Sequence, residues 1–177
     1  MEAFKIPKKN EVSADNQVVF ENLEKLIGFV PNIYASMAHS EKGLVGYLEF
    51  QQIKTSFEKR EKQVINIIVS QVNEAAYCIA QDTLSCKLNG FTDEQISEMR
   101  NGTASFDPKL DALAKLTWAL ASNKGRAPKE YLETFYHVGY NYGHLVDLLI
   151  AIGDKMIMNY LCNLTDPPVD FSPIAQK

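Results

Sequence analysis

The residues of this sequence best suited to covalent chemistry are its three cysteines, Cys78, Cys86 and Cys162. A thiol attacks as its thiolate, so a reactive cysteine needs surroundings that favour negative charge. Cys78 lies in the stretch EKQVINIIVSQVNEAAYCIAQDTLSCKLNG, residues 61–90. Steps of three and four put Ala75, Cys78 and Asp82 on one helix face. Gln63 lies on the preceding helix, and a helix hairpin brings its side chain back toward that face. An ionised Asp82, about 5 to 6 Å from Cys78 between Cβ atoms on an ideal helix, works against a thiolate. Cys86 lies two turns beyond Cys78, about 12 Å along a helix. A disulfide needs Cα atoms within about 7 Å, so a Cys78–Cys86 bridge requires the helix to break. Cys86 and Cys162 therefore read as buried small hydrophobes, and Cys78 has that same reading beside the reactive one. His39, His137 and His144 show no metal-binding spacing, and His144 reads as a cap or surface residue at the start of the last helix.

The elements that must position these residues read as helices. Apolar spacing is mostly three and four, and no hairpin signal is followed by alternating apolar residues. The seven prolines can all stand between helices or in a first turn. Residues 1–12 read as an extended arm. Ser13 caps a first helix ended by Gly28 and Pro31, and a short helix follows at about 32–39. Ser40 caps the next, and Ser56 caps another that runs to about Val72. The helix bearing Cys78 starts near Asn73 and stops at Gly90. Thr92 and Gln95 fit a capping box, Asp107-Pro108 opens a long helix, and Ala127-Pro128 opens a shorter one closed by Gly139. The last helix runs from about Tyr142 to Leu164, before an irregular tail at 165–177. Tyr131, Phe135, Tyr136, Tyr140 and Tyr142 read as a packing cluster. The expectation is one all-α domain over residues 1–177.

The segment around Cys78 resembles the carboxymuconolactone decarboxylase family, within it the alkylhydroperoxidase-D-like, peroxidase-related branch. Ser70, Asn73, Tyr77, Cys78 and Ala80 match the family's local context, and NGFTDEQI at 89–96 resembles its continuation. VPNIYA from Val30 and LDALAKL from Leu110 are similar as well. The resemblance implies an alkylhydroperoxidase-D-like multi-helix bundle that forms a homo-oligomer, trimer or hexamer, with no cofactor or metal. It implies peroxiredoxin-type antioxidant chemistry by a Cys-x-x-Cys pair. In the family a Glu and a His form a proton relay that ionises the second cysteine, and the first cysteine resolves the sulfenic acid.

This chain departs from the family at the site itself. Gln63 stands at the Glu position, Ala75 at the first cysteine and Asp82 at the His, so only the second cysteine survives, as Cys78. Gln63 cannot accept a relay proton. Ala75 cannot resolve a sulfenic acid, and Cys78 alone would climb the oxidation ladder unless another thiol arrives. Glu61 is about 200° around the helix from Gln63 and should point away. Glu74 reads as a cap or a solvent-facing residue.

Composition bounds the remaining choices. The chain has 177 residues, 46% apolar and 23% charged, with net charge −4. That balance suits a globular protein and argues against nucleic-acid binding. The most apolar stretch is interrupted by Asp147, Asp154 and Lys155, which argues against a membrane span. Few cysteines suit a reducing cytoplasm. Three functions follow as expectations. The first is an inactive or strongly impaired relative of the thiol-dependent hydroperoxide reductases with a binding or regulatory role. The second is a one-cysteine hydroperoxide reductase or redox sensor using Cys78 and an external thiol reductant. The third is a carboxymuconolactone-type decarboxylase.

Overall fold

The computed structural model describes residues 4–171. Every regular element among them is helical, as expected. A 3-10 turn at Lys9–Glu11 precedes α1 (Ala14–Ile27), α2 (Asn32–Met37), α3 (Gly43–Gln51), α4 (Lys59–Val72), α5 (Ala76–Leu88), α6 (Asp93–Arg100), α7 (Pro108–Ser122), α8 (Lys129–His137) and α9 (Tyr142–Thr165). No described helix is long and apolar enough to cross a membrane. The first residues of the expected arm and the end of the expected tail, with Pro173, lie outside the described residues.

Local signals explain most helix ends. The Ser13 hydroxyl accepts from the Asn16 amide at 3.3 Å, and Gly28 closes α1 in the left-handed region at φ 89°. Thr92 and Gln95 form the expected capping box on α6, and the Asp107 carboxylate caps α7 ahead of Pro108. Two expected caps move. Lys42, not Ser40, is the N-cap of α3, although the Ser40 hydroxyl still accepts from the Gly43 amide at 3.0 Å. Glu58, not Ser56, caps α4 through a reciprocal box with Glu61. The Ser56 amide instead donates to Asp147 at 2.7 Å.

The chain forms two compact units. The smaller takes the described residues up to Lys54 and those from Leu161. Its core gathers Phe20, Ala35, Ala38 and Leu44. Buried Asn16 ties α1 to the turn between α2 and α3 by donating to the carbonyls of Ala38 and Ser40. At the start of α2, the Asn32 amide donates to Asp170 and its side chain to the Pro168 carbonyl.

The larger unit, Thr55–Tyr160, is built around α4, which packs on α7 and α5. Val64, Ile65, Ile68 and Val69 of α4 meet Leu113 and Leu116 of α7 in one buried cluster with Phe135 and Leu148. Gly102 sits at its edge with φ 78°, and a Cβ there would come within 2.8 Å of the Trp118 ring. Both the left-handed backbone and the aromatic neighbour demand glycine. Gly102→Ala should lower unfolding stability by about 2 to 4 kcal/mol, from backbone strain plus overpacking. An unchanged urea midpoint would show that this contact does not constrain the core.

Candidate functional site

The site is set by the turn between α4 and α5. At the end of α4, the Asn73 side chain donates to the Val69 carbonyl at 2.9 Å. Glu74 then adopts φ 53°, and the Ala75 amide reaches back to the Ser70 carbonyl at 3.0 Å. This sharp reversal uses residues 73–75, so α5 begins at Ala76 rather than near Asn73. Glu74 is exposed. Ala75 is the N-cap and Cys78 lies in the first turn, and both are buried. The spacing of four then carries Asp82 and Cys86 inward along the same helix, which runs unbroken to Leu88.

Four polar side chains meet Asp82 in the interior, directly or in relay. Its Oδ1 accepts from Lys155 Nζ at 2.7 Å, and its Oδ2 accepts from the Ser70 hydroxyl at 2.7 Å. Ser70 Oγ in turn accepts from Asn159 Nδ2 at 3.0 Å. Asn159 Oδ1 accepts from Asn73 Nδ2 at 3.2 Å. The chain of bonds thus joins α4, α5 and α9, with Lys155 and Asn159 one turn apart on α9. A buried charge needs a partner and each buried polar atom a bond, and here both conditions are met.

The electrostatics follow from that pairing. Burial pulls the Lys155 pKa down, but the Asp82 carboxylate, and after it Cys78, outweigh burial and hold it above the ordinary lysine value. The ammonium therefore stays charged at neutral pH. Burial, then the charge of Asp82, pushes the Cys86 thiol up to about 12, with Lys155 offsetting part of the rise. Cys86 is thus a protonated core thiol at neutral pH. The carboxylate four residues from Cys78 is ion-paired with Lys155, whose ammonium also interacts with the Cys78 sulfur. Gln63 is half-buried on α4, and its Oε1 is enclosed with no hydrogen-bond partner among the described residues.

The Carboxymuconolactone decarboxylase family model matches residues 42–121, the stretch holding Gln63, Ser70, Ala75, Cys78 and Asp82. Residues 42–121 belong to that family. No curated protein matches the chain. Solved structures share its fold over most of the chain. The debrominase Bmp8 superposes with TM-score 0.77 at 15% identity, covering 98% of this chain and 95% of that one. A peroxidase-related protein from Silicibacter sp. TM1040 gives TM-score 0.76 at 18% identity, covering 93% and 88%. An alkylhydroperoxidase AhpD core protein from Ralstonia eutropha JMP134 gives 0.79 at 14%, covering 91% and 88%. The fold is the alkylhydroperoxidase-D-like all-helical bundle.

Lys155 and Asn159 lie beyond the matched family segment, and sequence reasoning did not place them at the site. The one signal was a charge inside the apolar run of the last helix, which had to find a partner. Glu61, by contrast, points away as expected. Its carboxylate meets Lys109 at 2.9 Å, the Tyr140 hydroxyl at 2.8 Å and the Glu58 amide at 2.8 Å. Burial raises its pKa, but Lys109, the Glu58 amide and Tyr140 together bring it below the ordinary value. Tyr140 is pushed up, by burial first and then by Glu61. The tyrosine also stacks on Phe135 at 4.3 Å and meets the His144 ring at 5.3 Å. His144 caps α9 with Asn141, whose side chain accepts from the His144 amide at 3.1 Å. Phe135 and Tyr140 of the aromatic cluster are buried beside the Glu61 carboxylate, which pairs with a half-exposed Lys109, while Tyr142 is largely exposed. Among the described residues no group of His, Cys, Asp and Glu is arranged to hold a metal.

Two outcomes follow. Lys155→Met strands a buried carboxylate and should cost about 3 to 5 kcal/mol in urea unfolding. Adding Asp82→Leu should recover a large part of that loss; no recovery would mean the pair is not what holds the three helices. Cys86 also makes stability depend on pH. Its folded pKa is raised, so the contribution is complete below about 8.5, where the unfolded thiol stays protonated. Stability should then fall as pH rises from about 9 toward 12, and Cys86→Ala should flatten that slope.

Proposed function

We propose that this chain is an alkylhydroperoxidase-D-like protein that does not turn over peroxide by a dithiol cycle, and that it serves in binding or regulation instead. The observation that carries this reading is the state of Asp82. At the position of the relay histidine stands a carboxylate with one oxygen held by Lys155 and the other by Ser70, both at 2.7 Å. Such a group is committed to structure and is poorly placed to shuttle a proton.

The cycle also needs a second sulfur. A Cys78 thiolate attacking a peroxide breaks the O–O bond, leaving a sulfenic acid and, after protonation, an alcohol. A second thiol must then displace water from the sulfenic acid to form the disulfide. Ala75 offers none. Cys86 lies about 12 Å along the unbroken α5, beyond the reach of a disulfide, and keeps its proton at neutral pH.

Two observations favour a second reading, single-thiol chemistry at Cys78 with an external thiol. The Lys155 ammonium and the first-turn position in α5 both favour negative charge at that sulfur. Against this stands burial, since Cys78 is 1% exposed. The scaffold does not choose the substrate: a neighbour of the same fold is a debrominase, solved also as a cysteine-to-alanine variant in complex with 2,3,4-tribromopyrrole.

Hydroperoxide consumption with dithiothreitol decides between the readings. The wild-type protein should be no faster than Cys78→Ser. A rate at least tenfold above that variant, with iodoacetamide labelling of native Cys78 at the speed of an exposed thiol, would establish the single-thiol enzyme instead. Restoring Gln63→Glu, Ala75→Cys and Asp82→His should yield a reducible disulfide only when Lys155→Leu is added, because histidine at 82 strands the ammonium.

A further inference from the structure

Lysine is seldom buried unless its charge is paired. Lys155 is buried, with its side chain 11% exposed, and Asp82 explains how the charge is tolerated. Asp82 does not use the nucleophilic character of that nitrogen. Cys78 lies one turn before Asp82 on α5 and is also buried, and the Lys155 ammonium interacts with its sulfur. Thiol, ammonium and carboxylate thus form one closed cluster between α5 and α9, inside the larger unit.

Ala75 leaves a sulfenic acid at Cys78 without a thiol to resolve it. A sulfenic acid also condenses with nitrogen, giving a sulfenamide. We propose that Lys155 takes the place of the missing resolving cysteine, so that a hydroperoxide converts Cys78 and Lys155 into a reversible S–N link between α5 and α9. The inference rests on the reading that no dithiol cycle runs here. First the Cys78 sulfur attacks the hydroperoxide. The O–O bond breaks, the sulfur loses two electrons to become the sulfenic acid, and an alcohol leaves. Lys155 then passes one proton to Asp82 along the 2.7 Å hydrogen bond that already joins them. The freed amine attacks the sulfur. The S–N bond forms as the S–O bond breaks, and the hydroxyl leaves as water with a second amine proton. No further oxidant is needed. The transfer to Asp82 happens once per link, unlike a relay, which must reload. Two features of the cluster favour the product. The oxygen departs as water, so the link adds no heavy atom to a close-packed interior, whereas a sulfinic acid adds two. The buried ammonium and carboxylate become a neutral N–H and a neutral acid, which removes the cost of holding two charges out of water. Burial of Cys78 makes the first step slow, as suits a switch set by sustained exposure to peroxide.

Peptide mapping of the full chain after prolonged treatment with hydrogen peroxide tests the link. Remaining thiols are blocked in denaturant without reductant, and the chain is cut with trypsin. In the wild-type protein the segment 63–87, which holds Cys78, should be joined to an uncut segment 130–177, because a linked Lys155 is no longer a cleavage site. The joined mass should lie about 2 Da below the sum of the two segments, and dithiothreitol should separate them. Lys155→Arg keeps a cation for Asp82 on a guanidinium that does not give up its proton. In that variant Cys78 should gain about 32 Da, as a sulfinic acid, and form no link. Should Lys155→Arg fail to fold, as read by circular dichroism, the wild-type map alone decides. Complete cleavage after Lys155 in the treated wild-type protein overturns the proposal, as does an unchanged Cys78. Sulfinic acid alone at wild-type Cys78 overturns it too, and leaves the absence of a dithiol cycle standing. A disulfide from Cys78 to Cys86 or Cys162 overturns both.

Discussion

A lysine ammonium and an aspartate carboxylate held 2.7 Å apart inside the larger unit determine what the rest of its polar interior does. Neither charge tolerates burial alone. Their pairing lets α9 supply a cation to the middle of α5, and it engages Ser70, Asn159 and Asn73 in succession. Three helices are thereby held by directional bonds as well as by apolar packing. Bonds of this kind hold helices in a chosen register, which apolar contact alone does less well.

The same arrangement occurs twice along α4. Near its first turn Glu61 meets a lysine, Lys109, and a hydroxyl, Tyr140. Near its last turn Ser70 meets Asp82, which also meets Lys155. In each case a buried acid takes one hydroxyl and one ammonium, the ammonium from a helix distant in sequence. The apolar residues between them, from Val64 to Val69, form the centre of the core. The helix is thus apolar in its middle and polar at both ends, where its neighbours join it.

Much of this fold was legible because its signals are short-range. Ser13, the Thr92–Gln95 box and Asp107-Pro108 act within four residues of the helix ends they mark. Reading failed where neighbours competed or distance intervened. Ser56 lost its cap role to Glu58, which has Glu61 as a reciprocal partner, while its own amide went to Asp147. The start of α5 was misplaced because Glu74 takes a left-handed conformation that its residue type disfavours. At the site, the replacements Gln63, Ala75 and Asp82 were visible as residues. What they do was not, because Lys155 lies 73 residues from Asp82 and nothing local links them.

Cys78 illustrates how packing can govern a reactive atom. Its sulfur sits in a wall of side chains, one turn from Ala75 and in the field of Lys155. Protein interiors leave few gaps larger than a water molecule. An oxygen gained by this sulfur would need room as well as a hydrogen-bond partner. Adding an oxygen to that buried atom would require the side chains around it to move.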